Sequence, residues 1–403
     1  VRVVLANKFL YPKGGAERAV LDVGAELTRR GHRVHWFGME HPDNVVAGAD
    51  VELVRGRDYR RGGAGAWRDA AAMMWSFEAR RRFARLLRRS RPDVVHCHNI
   101  YHQLTPSILD AARAAGVAAV LTLHDYKLVC PRYDMLRHGR PCDACVEDGP
   151  TACLRYRCVD GSLARSLLLA AESAFQRSRG SYDAVRAFVV PSRFLGAVMR
   201  RAGFAAERLR WVPNFAPQLP AASVPARADR FVYVGRLSSE KGVETLVRAA
   251  ARLASGTLVV CGDGPARARI EVLARAAPAG RIEMRGHQDA AGVAAALGGA
   301  AFAVAPSEWF ENAPFAVLEA MGMGRGVVAS RIGGLPELVT DDDNGALVPP
   351  GDVGAWAGAL AAAVASPART RAWGEAARVR AVRDHGFAAH VDRLEELYRE
   401  VTA

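Results

Sequence analysis

Two carboxylates eight residues apart, Glu311 and Glu319, frame the run Glu311-Asn312-Ala313-Pro314-Phe315-Ala316-Val317-Leu318-Glu319. Pro314 suits the first turn of a helix. Glu311 then falls in the preceding loop and Glu319 inside an apolar helix, among Val317, Leu318, Ala320 and Met321. A carboxylate on such a face needs a polar partner, and a ribose diol would supply two hydroxyl donors. The loop through Asn312, Ala313, Pro314 and Phe315 offers amides suited to phosphate or sugar oxygens. A second segment, Gly235-Arg236-Leu237-Ser238-Ser239-Glu240-Lys241-Gly242, sets two cations, Arg236 and Lys241, on a short loop feeding a helix. Such a pair suits a diphosphate whose charge grows as its bond to a sugar breaks, work that a metal ion does elsewhere. In Lys13-Gly14-Gly15-Ala16-Glu17-Arg18 the glycines permit close backbone approach at a helix start, a site for an anion. His124, in Thr122-Leu123-His124-Asp125, is placed to hydrogen-bond a transferred sugar. His98 and Asn99 are candidates for the same cleft, and His96 for the core. Each segment taken singly has a plainer reading: two unrelated glutamates, a polar loop, a tight turn without ligand, a structural histidine.

These segments need a scaffold that delivers loops to one place. A chain of 403 residues exceeds one ordinary core and implies two domains. In the first half, apolar runs at Val3–Ala6, Val34–Phe37, Val94–His98, Ala118–Leu123 and Ala187–Val190 alternate with helical patterns, notably Ala16–Arg30, Asp69–Arg89 and Ser162–Ser178. A second series has strands at Phe231–Val234, Thr257–Cys261, Ile282–Arg285, Ala301–Ala305, Gly326–Ala329 and Ala346–Val348. This is the α/β pattern of two Rossmann-like domains. The expected division is 1–212, a Pro- and Ala-rich linker over 213–230, a second domain over 231–385, and a closing helix over 386–403 that packs back on the first domain. Ligands bind outside the carboxyl ends of such strands, and each segment above follows one.

Together the four segments resemble the retaining glycosyltransferases of family 4, which have the GT-B fold of two Rossmann-like domains facing across a cleft. The opening Asn7-Lys8-Phe9-Leu10-Tyr11-Pro12-Lys13-Gly14-Gly15, the run His124–Pro131 and Pro191-Ser192-Arg193-Phe194 are similar to a subgroup from capsule and exopolysaccharide clusters. The resemblance implies that Glu319 binds the donor ribose and Glu311 the hexose hydroxyls. Arg236 and Lys241 would hold the diphosphate, with Gly14 and Gly15 approaching it from the other domain. His124 would contact the donor sugar, and main-chain groups at Gly286 and His287 would read the base, near Asp263 and Gly264. The acceptor would attack the face that the phosphate leaves, and the phosphate would take its proton. That scheme uses no catalytic metal and no enzymic nucleophile. The donor would be a nucleoside-diphosphate sugar, with UDP favoured and GDP compatible. The acceptor would be a saccharide, a lipid-linked saccharide or a small natural product. A nucleotide-sugar 2-epimerase on this architecture, or a non-catalytic nucleotide-sugar-binding partner, are the alternatives.

Cys142, Cys145, Cys153 and Cys158 crowd a Gly- and Pro-containing insert at about 130–160. Their spacing suggests a structural zinc site, against a reading as free thiols. Lysine and arginine outnumber carboxylates 55 to 42, for a net charge of +13. The excess favours anionic partners, but no nucleic-acid module accompanies it. Trp67 to Arg89 interleaves Trp75, Phe77 and Phe83 with arginines. It reads as a crossover helix whose solvated face could also meet anionic lipid. Residues 1–7 read as a strand and not a signal. The expected location is cytoplasmic, with peripheral contact at the inner membrane face.

Overall fold

The computed structural model describes residues 1–57, 66–217 and 227–403. Residues 218–226 of the expected linker, and the side chains of Trp67 and Arg68, lie outside the described residues.

The strands are β1 Arg2–Ala6, β2 Arg33–Met39, β3 Val51–Val54, β4 Val94–Cys97, β5 Ala118–Thr122, β6 Leu136–Arg137, β7 Arg140–Pro141, β8 Val185–Val190 and β9 Leu209–Trp211 in the first half. The second half has β10 Arg230–Val234, β11 Thr257–Cys261, β12 Ile282–Gly286, β13 Phe302–Ala305, β14 Gly326–Ser330 and β15 Gly345–Val348. Seven form one parallel sheet in the order β3-β2-β1-β4-β5-β8-β9, and six form another in the order β12-β11-β10-β13-β14-β15. The pair β6 and β7 is a small antiparallel hairpin in the insert. Strands covered on both faces must be apolar throughout, and Val3, Val4, Leu5 and Ala6 are each at most 1% exposed. The fold is α/β, with two Rossmann-like domains of the GT-B type.

In both sheets the strand order reverses beside the first strand of the domain, at β1/β4 and at β10/β13. Those switch points are where open α/β sheets bind ligands. Gly14 and Gly15 follow β1, His98 follows β4, Arg236 follows β10 and Glu311 follows β13.

The last helix, Phe387–Thr402, buries Val391, Leu394, Leu397 and Tyr398 in the same cluster as Val3, Leu5 and Val20 of the first domain. Polar contacts fix it there: His32 Nε2 to Glu395 Oε1 at 2.9 Å and Arg30 to Asp392 at 2.5 Å.

The helix expected over Asp69–Arg89 is two helices, Ala66–Met74 and Phe77–Ser90. Ser76 divides them. Its extended backbone leaves the hydroxyl free to accept the Ala79 N–H at 3.1 Å, an N-cap that starts a new helix.

Candidate functional site

Glu311 lies in the loop that follows β13. Glu311 is 6% exposed and accepts hydrogen bonds from Lys241 Nζ at 2.7 Å and Ser307 Oγ at 2.6 Å. Burial by itself would raise its pKa. The Lys241 ammonium, with hydrogen bonds from Lys241 and Ser307, outweighs burial and holds the carboxyl below its ordinary range. Lys241 also lies over the Trp309 ring, 4.9 Å from its centroid. The loop supplying Lys241 turns at Gly242, φ 66°, where a Cβ would come within 1.9 Å of the Pro306 carbonyl oxygen. Only glycine permits that approach. Arg236 is exposed and makes no ion pair among the described residues, while its carbonyl accepts the Tyr233 hydroxyl at 2.8 Å.

Glu319 lies inside helix Phe315–Gly322 and pairs across the domains with Arg18 Nη1 at 3.1 Å. Burial raises its pKa, and Arg18 only partly offsets that. Arg18 belongs to helix Gly15–Arg29, whose N-cap is Gly14. A Cβ on Gly15 would meet Phe315 Cδ2 at 2.8 Å. The glycine loop thus touches the start of the Glu319 helix.

The stretch between the glutamates is sewn to the first domain. Asn312 Nδ2 donates to the Leu123 carbonyl at 3.1 Å, and its Oδ1 accepts from Ser192 Oγ at 2.6 Å. The Ala313 carbonyl accepts from Asn214 Nδ2 at 2.9 Å. Pro314 stands at the N-cap of the helix, one place before the first turn expected for it. The side chain of Asn312 and the carbonyl of Ala313 are therefore joints between domains. The Val317 N–H turns back on the Pro314 carbonyl at 3.2 Å, which leaves the Phe315 and Ala316 N–H groups at the helix start for an anion. Glu337 makes a further joint. Its carboxylate accepts the Arg193 and Phe194 N–H groups, at 2.7 and 2.6 Å, capping a helix of the other domain.

His124 follows Leu123, and its Nε2 lies 3.0 Å from His98 Nδ1. Burial, reinforced by His390, pulls its pKa down to about 4. Gly286, φ 69°, ends the edge strand β12, and its carbonyl accepts the Gly262 N–H at 2.7 Å. His287 beside it is exposed. Asp263 pairs with Arg267 at 3.1 Å. Gly286 ends and His287 follows β12, one of the two edge strands of the second sheet.

Lys241 and Glu311 are in direct contact, as are Gly15 and Phe315. Arg18, Ser192, Asn214, Ser307 and Glu337 were not singled out as site residues from the sequence. Ser192 does sit in the Pro-Ser-Arg-Phe run, and Glu337 follows Gly333-Gly334-Leu335-Pro336, a helix-start pattern that carried its signal.

Among the described residues no group of three or more His, Cys, Asp or Glu side chains is placed to hold a metal ion. Of the cysteines expected to hold zinc, Cys145 and Cys153 are buried in one cluster with Cys158 packed against it. Cys130, from the start of the insert, interacts with Cys145, and Cys153 with Cys158. The Cys130 thiol is held below its ordinary range by the Cys145 hydrogen bond, and burial pushes Cys153 up to about 12. No helix among the described residues is long and apolar enough to cross a membrane.

Residues 13–217 match the family model described as Glycosyltransferase Family 4, and residues 228–366 match Glycosyl transferases group 1. Alpha-maltose-1-phosphate synthase of Mycolicibacterium smegmatis is 34% identical over 186 residues, covering 42% of this chain and 48% of that protein. Alpha-D-kanosaminyltransferase of Streptomyces kanamyceticus is 31% identical over 175 residues, covering 42% of this chain and 45% of that protein. These two alignments span about half of each relative's length. Among solved structures, Anabaena HepE in complex with UDP and glucose superposes with a TM-score of 0.68 at 17% identity, covering 99% of both chains.

Proposed function

The chain belongs to glycosyltransferase family 4, and from that premise we propose that it moves a hexosyl unit from a nucleoside-diphosphate sugar to an acceptor hydroxyl with retention at the anomeric carbon. The observation that carries this reading is Lys241 bonded to buried Glu311, beside a helix start that Gly15 packs against from the other domain. Lys241 and exposed Arg236 hold the diphosphate and take up the charge that grows as the glycosidic bond breaks. Glu311 orients hexose hydroxyls. Glu319, now paired with Arg18, exchanges that partner for the ribose diol. The leaving phosphate takes the acceptor's proton, so no side chain is needed as nucleophile. Main-chain groups at Gly286 and His287 contact the base. A UDP-sugar is the favoured donor, supported by a fold shared with a protein whose complex contains UDP and glucose.

The acceptor is a saccharide, a lipid-linked saccharide or a small natural product. A lipid-linked one would suit the exposed ring of Phe77 beside Arg80, Arg81 and Arg88, which would rest on the inner face of an anionic membrane.

The test is a thermal-shift panel of UDP-, GDP- and dTDP-sugars, followed by transfer assays with the donor that binds. A raised melting temperature with one nucleotide series and a product of retained anomeric configuration are expected. Conversion of the donor at full rate with no acceptor present would assign an epimerase instead. No response to any nucleotide sugar would end the proposal.

A further inference from the structure

His98 is the first residue after β4, one strand away from His124, which follows β5. The two rings lie 5.3 Å apart at 24°, joined by the 3.0 Å contact between His98 Nδ1 and His124 Nε2. His98 is 5% exposed, and its Nε2 has no hydrogen-bond partner among the described residues. Behind it stands His96, fully buried, with ring centroids 4.2 Å apart. His96 is itself clamped, Nδ1 to the Tyr398 hydroxyl at 2.6 Å and Nε2 to Thr122 Oγ1 at 2.7 Å. Tyr398 comes from the closing helix, so the far end of the chain anchors the stack. A chamber of about 20 Å³, lined by His96, His98, His124, Asn214 and His390 among others, adjoins it.

Burial disfavours the charged form of each of these imidazoles. A neutral imidazole has one N–H and one lone pair, so the contact between His98 and His124 can be arranged in two ways. In one, His124 Nε2–H donates, and His98 carries its proton on Nε2, where no acceptor lies. In the other, His98 Nδ1–H donates, and His98 Nε2 is a bare lone pair. Buried N–H groups without acceptors are rarer than under-used acceptors, and an unmet buried donor carries its full desolvation cost. The second arrangement is favoured. It requires His124 to hold its proton on Nδ1, the ring nitrogen that makes no hydrogen bond within the described residues.

We infer that His98 is a positioning residue: it fixes His124 as the Nδ1–H tautomer, so that a hydrogen-bond donor and not a lone pair meets the bound sugar, and Tyr398 holds His98 in register through His96. The inference rests on the proposed contact between His124 and the donor sugar. It adds a reason for His96 on β4 and His98 just after it, and a catalytic use for the docking of the closing helix.

The test is ¹⁵N-resolved imidazole NMR on the full chain, in which long-range ¹⁵N–¹H couplings separate the two tautomers, with the His124 signal assigned by its loss in His124→Gln. The wild-type protein should show His124 as Nδ1–H. In His98→Phe, which keeps the ring and removes the bond, that signal should move towards Nε2–H. The same change should lower kcat about tenfold or more with donor KM nearly unchanged, because the lost contact strengthens as the sugar reacts. His98→Gln, whose side-chain N–H can donate to His124 Nε2, should restore the tautomer and most of the rate. An Nε2–H signal in the wild type would overturn the inference, as would an unchanged tautomer and kcat in His98→Phe. The wild-type spectrum decides the tautomer even if His98→Phe fails to fold. A protein with the expected tautomer that transfers no sugar would count against the proposed function and not against the pairing of the rings.

Discussion

On the second-domain side of the cleft, charges are set against one another: Lys241 on Glu311, with Arg18 reaching over to Glu319. On the first-domain side, His96, His98, His124 and His390 line one small chamber, none of them in an ion pair among the described residues, and burial pulls His96 to about 3 and both His124 and His390 to about 4. One wall holds charge in place for a ligand that carries charge. The other stays neutral and offers only oriented hydrogen bonds. The contrast matches a donor with a diphosphate at one end and a sugar at the other.

The strongest test of that contrast removes charge from the second wall. Arg236→Ala should lower kcat by about 10²–10³ through lost transition-state stabilisation. It should leave the melting temperature unchanged, since Arg236 is exposed and makes no ion pair among the described residues. Lys241→Ala should do comparable damage to turnover and also destabilise the fold by about 1–3 kcal/mol, because Glu311 would be left buried without its cation. Adding Glu311→Gln should recover much of that stability and none of the activity. Equal effects of Arg236→Ala on stability and activity would contradict the division of labour.

A second test separates the walls. Gly15→Ala sets a Cβ 2.8 Å from Phe315 Cδ2, so the glycine loop and the Glu319 helix must part. Activity should fall by about ten- to a hundredfold, as misplacement of about 1 Å does elsewhere. Phe315→Leu in the same chain should return part of it. A smaller loss is expected from Glu319→Gln. Its amide keeps one hydrogen bond to a ribose hydroxyl, and donor KM should rise about tenfold, one hydrogen bond's worth, with kcat little changed. An unchanged KM would remove Glu319 from the donor site.

Much of this was legible in the sequence because it is local. A strand buried on both faces must be an apolar run, and Val3–Ala6 is one. The spacing of Glu311 and Glu319 and the two cations of the Gly235–Gly242 loop are likewise properties of short segments. What stayed hidden depends on partners far along the chain. Nothing near Arg18 signals Glu319, and nothing near His96 signals Tyr398. The thiols show the same limit: Cys130, outside the Cys142–Cys158 spacing, meets Cys145 in the fold. The break at Ser76 was readable, since a serine three residues ahead of an N–H is a cap, but the continuous helical period across it masked the signal.

The mildest test asks what the neutral wall costs when acid is added. His390 is 9% exposed, its Nδ1 lies 2.8 Å from the Pro213 carbonyl oxygen, and burial outweighs that bond to pull its pKa to about 4. The unfolded chain takes a proton there near 6.5, so between about 4 and 6.5 the unfolded state binds more protons. Stability is then full above 6.5 and falls as pH drops towards 4, by about 3 kcal/mol for this residue alone. The melting temperature of the wild type should decline through that window, and His390→Gln should flatten the decline while leaving the melting temperature at pH 8 nearly as it was. A pH profile that His390→Gln does not alter would mean that the imidazole is hydrated and able to charge. The first wall would then lose its claim to neutrality at that position.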